Sequence, residues 1–378
     1  MPAATSMAIL AGTRPECLKL VSLVRAVRHR IGARTVLINS GQHLEMVRSS
    51  LVQWGLNADM ELPAVVPGSL SAQVRWMREQ VREACMQVGA KLLVVQGDTS
   101  TAYAGALAAK LCGIGLAHVE AGLRTADRMR PFPEEAFRRR IGALADWHFA
   151  PTAGAARNLL AEGVACARIF TPGNTGIDAL RLALADPGVG DDLHWQARFS
   201  ELLVLTLHRR ENYGPRLEQI CVGVCRLLDL HPELGVICPV HPNPAVGARV
   251  RRALAAHPRV WLTEPLAYRP FVHLLSQARL VVTDSGGIQE EAPYLGVPVV
   301  VARENTERPE ALAGGHTRLV AVNAQAVFDA AQALLQAPRP QAHAFCASAP
   351  FGDGRAGERI AQVLVEVLAN AGATEPVR

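Results

Sequence analysis

The residues best suited to chemistry in this chain lie in short clusters, and Asp284-Ser285-Gly286-Gly287 is the strongest anion-binding candidate among them. It follows the apolar run Leu280–Thr283 and precedes Ile288–Leu295, which can start a helix. Glycines let a backbone approach a phosphate closely, and the free N–H groups of a helix start stabilise it. A diphosphate fits there; the plainer reading is a tight strand-to-helix turn. Glu291, about one helical turn beyond, is placed where a carboxylate accepts both hydroxyls of a ribose. Arg14, in Gly12-Thr13-Arg14-Pro15-Glu16, and Lys19 one turn later are cations for a leaving diphosphate, as is Arg308 in Thr306-Glu307-Arg308-Pro309-Glu310. Any one of these alone reads as a surface cation.

Carboxylates form the second set. Asp98 and Glu120 each terminate an apolar strand, and Glu134 with Glu135 follows Pro131-Phe132-Pro133. Acid–base work at carbon needs carboxylates on both faces of a substrate, with proton affinities set apart by burial and neighbours. His208, after Leu202–Leu207, adds a group that titrates near neutrality. Singly, each reads as a cap or an ion pair. Their shared place at strand ends shifts the balance towards function.

The elements that must position these clusters follow from periodicity. Apolar runs read as strands at Met7–Ala11, Thr35–Asn39, Leu92–Gln96, Leu116–Val119 and Trp147–Ala150. Cys17–Arg28 and Val74–Val88 carry apolar residues at three-and-four spacing, as helices lying on a sheet must. A second series begins at Leu202–Leu207 and continues through Val236–Val240, Trp261–Thr263, Leu280–Thr283, Val299–Ala302 and Leu319–Val322. The turn-rich stretch Ala185–Gly190, followed by Asp191-Asp192, reads as a linker, and Thr374–Arg378 as a frayed end. Alternating strands and helices predict α/β architecture with two doubly wound parallel sheets. Ligands of such sheets sit beyond the carboxyl ends of strands, where every polar cluster above falls.

Composition narrows the class further. The 378 residues suit two domains, and 49% hydrophobic with 19% charged residues is globular composition. No apolar run reaches the roughly 20 residues of a membrane span, and the start lacks the basic region of an export signal. Eight scattered cysteines without CxxC pairs give neither a zinc site nor a disulfide framework, so a reducing cytoplasm is the expected compartment. The net charge of +5 is dispersed, without the aromatic–basic platform of a nucleic-acid binder. No metal-ligand spacing and no Gly-x-Gly-x-x-Gly after the first strand occur, so neither metal nor nicotinamide cofactor is expected.

Together the clusters resemble one family. The motifs above, with Gly41-Gln42-His43, Gln96-Gly97-Asp98-Thr99, His118-Val119-Glu120-Ala121-Gly122, Gly173-Asn174-Thr175, His208-Arg209-Arg210-Glu211-Asn212 and Val240-His241-Pro242-Asn243-Pro244, are similar in order and spacing to the non-hydrolysing UDP-N-acetylglucosamine 2-epimerases. The resemblance runs from about residue 8 to Gly352-Asp353-Gly354. It implies a glycosyltransferase-B-like pair of Rossmann-like domains, 1–172 and 173–357, with an active-site cleft between them. The helix 358–378 would pack back on the first domain, in a homodimer. It implies elimination of UDP from a UDP-2-acetamido sugar to leave a 2-acetamidoglucal, then re-addition with C2 inverted. Asp98, Glu120, Glu134 and His208 would be catalytic. Arg14, Lys19, Phe271, Ser285, Gly286, Gly287, Glu291 and Arg308 would bind substrate, Phe271 at the uracil. Gln42, Glu135, Arg210 and His241 resemble positions that bind a second, activating UDP-GlcNAc.

Three positions depart from the family pattern: Phe137 stands for Asn, Gly176 for Val, and Ala349-Pro350-Phe351 for Asn-Pro-Tyr. Phe137 removes a polar contact beside Glu134, which leaves the sugar open, with UDP-2,3-diacetamido hexuronic acids a second candidate substrate class. The alternatives are a hydrolysing 2-epimerase, against which Gly12-Thr13-Arg14-Pro15-Glu16 speaks, a glycosyltransferase of the same fold, and a non-catalytic sugar-nucleotide sensor, which the presence of Asp98, Glu120 and Glu134 disfavours.

Overall fold

A computed structural model describes residues 6–125, 127, 131–186, 199–343, 345–346 and 349–373. The chain divides into two compact units, Met1–Ala179 with Cys346–Arg378, and Leu180–Phe345. In the first unit the strands are β1 (Ser6–Ala11), β2 (Thr35–Asn39), β3 (Met60–Glu61), β4 (Ala90–Gln96), β5 (Gly115–Val119), β6 (Trp147–Phe149) and β7 (Ile169–Phe170). Its helices are α1 (Arg14–Ile31), α2 (Leu44–Val52), α3 (Leu70–Gln87), α4 (Ser100–Cys112), α5 (Glu134–Leu144), α6 (Ala153–Ala161) and the start of α7 (Thr175–Leu184). The seven strands are parallel in the order β3-β2-β1-β4-β5-β6-β7. The order reverses between β1 and β4, the point where doubly wound sheets bind ligands.

The second unit repeats the plan with β8 (Glu201–Thr206), β9 (Leu234–Pro239), β10 (Val260–Thr263), β11 (Leu280–Thr283), β12 (Val299–Ala302) and β13 (Thr317–Val320). The interleaved helices are α8 (Pro215–Leu230), α9 (Pro244–Leu254), α10 (Tyr268–Gln277), α11 (Gly286–Glu291) and α12 (Ala324–Gln336). Its parallel order is β10-β9-β8-β11-β12-β13, with the reversal between β8 and β11. Both units are therefore Rossmann-like, the pair expected of a glycosyltransferase-B-like protein. The last helix, α13 (Ala356–Ala373), lies in the first unit against α1, where a side chain at Gly357 would collide with Ser22 and the Leu23 backbone.

Local chemistry explains the elements. In α1, Thr13 caps the start and Pro15 sits in the first turn, where its missing N–H costs nothing. The buried residues Cys17, Leu20, Val21, Val24 and Val27 form its inward stripe. Strands buried on both faces, such as Leu92–Val95, need no alternation, and each such side chain stabilises by about 1.5–3 kcal/mol.

The compact units divide after Ala179 and after Phe345. Residues from Gly173 to Ala179 and from Cys346 onward belong to the first unit. The reason is a set of buried bonds: Asn174 N donates to Phe351 O at 2.9 Å, and the Asp178 carboxylate accepts from the N–H groups of Ala356 and Gly357 at 3.0 and 2.7 Å. Phe351 itself is buried in the place of the family's Tyr. Of the expected linker, Pro187–Asp192 lies outside the described residues, as does Thr374–Arg378. Among the described residues no helix is long and apolar enough to cross a membrane.

Candidate active site

In the first unit the carboxylates gather at the carboxyl ends of β4 and β5. Gln96 and Val119 are the last paired residues of these neighbouring strands, so Asp98 and Glu120 follow side by side in the sheet. Glu120 is the only non-glycine residue with positive φ (64°) among the described residues, and such strain costs about 1–3 kcal/mol. Its Oε1 lies 2.6 Å from Lys19 Nζ, and Gln96 Nε2 donates to its Oε2. The pair is mostly buried, with side chains 13% and 8% exposed. Gly97 takes a φ of 70°, a left-handed turn that glycine adopts without the Cβ penalty. Its carbonyl accepts from His118 Nε2 at 2.8 Å, and burial pushes that imidazole down to about 3, so it donates as a neutral ring.

Asp98 is held by Arg138, whose Nη2 and Nε lie 2.6 and 2.8 Å from Oδ2. Arg138 also bonds Glu135 at 3.1 Å, so helix α5 is tied to the β4 turn. Glu134 and Glu135 occupy the first turn of α5, where the helix dipole favours negative charge. Glu134 Oε2 is buried and has no hydrogen-bond partner. A buried carboxylate oxygen without a partner calls for an explanation, and a catalytic role is one.

In the second unit the groups follow β8 and β11, which pair directly. Asp284 is fully buried and accepts from the N–H groups of His208 and Arg209 and from Asn212 Nδ2, all within 3.0–3.2 Å. His208 Nδ1 lies 3.1 Å from Asp284 Oδ1. Burial pushes this imidazole down to about 4 against the pull of Asp284, so it is neutral at neutral pH. The ring of His241 stacks beside it, with centroids 6.5 Å apart. Gly286 and Gly287 open α11 after Ser285. A Cβ at Gly286 would stand 2.6 Å from Arg308 Nη1, so only glycine lets that guanidinium approach. Arg308 is in turn gripped by Glu290 and Glu307. Glu291 is buried and accepts from Tyr268 Oη at 2.9 Å, with Phe271 one turn along the same helix as Tyr268.

The expected site residues thus divide between the units. Arg14, Lys19, Gln42, Asp98, Glu120, Glu134 and Glu135 lie in the first; His208, Arg210, His241, Phe271, Ser285, Gly286, Gly287, Glu291 and Arg308 lie in the second. Several surroundings differ from expectation. Lys19 and Arg308, expected as cations for the diphosphate, are ion-paired to Glu120 and to Glu290 and Glu307, because at that depth a cation needs a carboxylate. Glu135 has no exposed surface; its carboxylate engages Thr125 N, Arg138 and Arg139. Gln42 Oε1 accepts from Thr101 N and Oγ1 at the start of α4. Arg210 opens the 3-10 turn Arg210–Asn212. Among the described residues no group of three or more His, Cys, Asp or Glu could hold a metal ion.

Sequence reasoning assigned no role to Asp284, Arg138, Gln96, Tyr268 or Glu16. Asp284 and Gln96 stood inside motifs with no sign of which neighbour they would bind. Arg138 carried a local signal, three residues after Glu135 on a helix face.

The family model described as UDP-N-acetylglucosamine 2-epimerase matches residues 25–365. The UDP-N-acetylglucosamine 2-epimerase of Escherichia coli is 38% identical over 362 residues, covering 93% of this chain and 96% of that protein. This chain belongs to the UDP-N-acetylglucosamine 2-epimerase family. It is accordingly an enzyme of the epimerase class. Two structures of similar proteins agree in fold. The Neisseria meningitidis UDP-GlcNAc 2-epimerase bound to UDP-GlcNAc superposes with a TM-score of 0.90 at 33% identity, covering 96% of this chain and 100% of that one. The S. aureus MnaA–UDP structure gives 0.89 at 35% identity, covering 98% and 99%.

Within this family the chain's departures are packing changes. Phe137 is buried and stacks on Tyr103 of α4, centroids 4.8 Å apart. The aromatic ring joins α5 to α4 through apolar contact where an amide would need a polar partner. Gly176 donates its N–H to Asn174 Oδ1 at 2.8 Å, a turn that needs no side chain at 176.

Proposed function

We propose that this enzyme inverts C2 of a UDP-2-acetamido sugar, interconverting UDP-N-acetylglucosamine and its manno epimer, by elimination and re-addition of UDP. The C2 proton of the intact sugar has no neighbouring carbonyl to acidify it. Removing it together with UDP from C1 leaves a 2-acetamidoglucal; protonation of C2 on the other face and return of UDP to C1 complete the inversion. The first unit supplies Asp98, Glu120 and Glu134 for the two proton transfers. The observation that carries this reading is Glu120, a carboxylate held in left-handed backbone between Lys19 and Gln96 on the strand beside Asp98. Structures pay such strain where chemistry requires a fixed group.

The second unit binds the nucleotide. Ser285, Gly286 and Gly287 meet the diphosphate, Glu291 the ribose and Phe271 the uracil. Arg14 and Arg308 stabilise the leaving charge; Arg308, already flanked by Glu290 and Glu307, is oriented before substrate arrives. His208, neutral and fixed through Nδ1 by Asp284, has Nε2 for the diphosphate side. Lys19 acts on Glu120 through their ion pair, orienting it as the base. Gln42, Arg210 and His241 are the proposed contacts of a second, activating UDP-GlcNAc, with the buried Glu135 acting through Arg138 and Arg139. The enzyme works as a cytoplasmic homodimer without a cofactor. Proton NMR of the purified protein with UDP-N-acetylglucosamine tests the reading. A growing manno-epimer signal is expected; an unchanged spectrum, or free sugar with stoichiometric UDP, rejects it.

A further inference from the structure

The turn that carries Arg14 and the turn that carries Asp98 belong to different strands, β1 and β4, yet one buried carboxylate touches both. Glu16, the third residue of α1, is 1% exposed. Its Oε2 accepts from Gly12 N at 3.1 Å and from Thr13 Oγ1 at 2.8 Å. Its Oε1 accepts from Thr99 Oγ1 at 2.7 Å, across a sequence gap of 83 residues. Thr99 is also the cap of α4: its oxygen accepts from Ala102 N at 3.0 Å, so its one hydrogen goes to Glu16. The contacts of Glu16 to Gly12 and Thr13 are those of a helix cap. The third reaches the residue next to Asp98 and caps nothing in α1.

We propose that Glu16 is a positioning residue: its ionised carboxylate ties the Arg14 turn to the Asp98 turn and holds both in the geometry that turnover requires. This rests on the functional reading above. An ionised carboxylate accepts from all three donors; a protonated one donates through one oxygen, and the contact at that oxygen must reverse or break. Burial, partly offset by the bonds from Thr99, Thr13 and Gly12, pushes Glu16 up to about 7. The titratable groups on the elements that meet at Glu16 include Arg14, Cys17 and Lys19 on α1, Asp98 after β4, Glu120 after β5, His43 after β2, and Tyr103 and Lys110 on α4. The turn after β2 presents Ser40 and Gln42 towards Thr101, and neither titrates.

The sign of the linkage separates this role from a plain cap. A carboxyl whose proton is held more tightly in the fold than in the unfolded chain contributes stability that is fully present below 4.5 and is lost as the pH rises to about 7. Above that range the ionised group is a cost. Glu16→Gln should therefore melt at or above the wild type near pH 8, while turning over about 10-fold more slowly. The wild-type kcat should rise between about pH 6 and pH 8, and that limb should be absent in Glu16→Gln and Thr99→Val but kept in Thr99→Ser.

Amide hydrogen exchange reads the tether without any turnover. In Glu16→Gln near pH 8, protection should fall together at the start of α1 and at the start of α4. Loss confined to α1, or a wild-type pH limb retained in Glu16→Gln, overturns the proposal and leaves Glu16 as a cap. Wild-type protein that forms no epimer at any pH rejects the functional reading instead, and the exchange experiment still decides the tether.

Discussion

Replacing Glu120 by alanine and by glycine separates the chemistry of this residue from the shape of its backbone. Both changes remove the carboxylate that lies 2.6 Å from Lys19 Nζ and that Gln96 approaches, so both incur the same loss at the ion pair. They differ only in what the φ of 64° costs. An alanine held there carries the left-handed penalty of about 1–2 kcal/mol. Glycine escapes it but loses about 0.5–1 kcal/mol through its freer unfolded chain. The net advantage of Glu120→Gly over Glu120→Ala is then roughly 1 kcal/mol. For a unit of the size of the first one, that is about 2–4 °C in Tm. Calorimetry of the two variants in one buffer measures it, with turnover abolished in both. Equal melting points, or a higher one for Glu120→Ala, would show that the turn relaxes freely and that Glu120 is not held under strain for function.

Three further outcomes follow from the site. Asp98→Asn, Glu120→Gln and Glu134→Gln should each lower kcat by about 100-fold or more while leaving UDP affinity near wild type by calorimetric titration; wild-type kcat in two of them would remove the acid–base assignment. Gly286→Ala places a methyl 2.6 Å from Arg308 Nη1, and because Glu290 and Glu307 pin that guanidinium, it cannot swing away. This variant, Arg308→Ala and Glu291→Ala should each weaken UDP binding by roughly 10-fold or more, and unchanged affinity in all three would place the nucleotide elsewhere. Exhaustive chelation should leave turnover intact; loss restored by one divalent ion would contradict metal-free elimination.

The strands were legible where burial imposes a pattern. Thr35–Asn39, Leu280–Thr283 and Val299–Ala302 occupy the bounds read from their apolar runs. Met60–Glu61 and Ile169–Phe170 were not readable, because two residues carry no period. Helices α1 and α3 extend beyond their apolar stripes, to a capping Thr13 and a capping Ser69 whose role depends on hydrogen bonds rather than hydropathy. Position after a strand picked out Asp98, Glu120, His208 and Ser285 as candidates for the site. Their partners were hidden: Arg138 reaches Asp98 over 40 residues and Lys19 reaches Glu120 over 101, and no local spacing encodes such pairs. The depth of Glu135 and the pinned state of Arg308 are likewise products of tertiary burial, invisible to residue type.

The elimination route is tested most directly by running the reaction in heavy water. The account predicts deuterium at C2 of both epimers, since the C2 proton leaves with UDP and a solvent-exchanged carboxyl returns one on either face. Free UDP and free sugar should accumulate slowly compared with epimer formation, because the glucal is recaptured by the same UDP. Epimer that forms with C2 still carrying its original hydrogen would contradict the account.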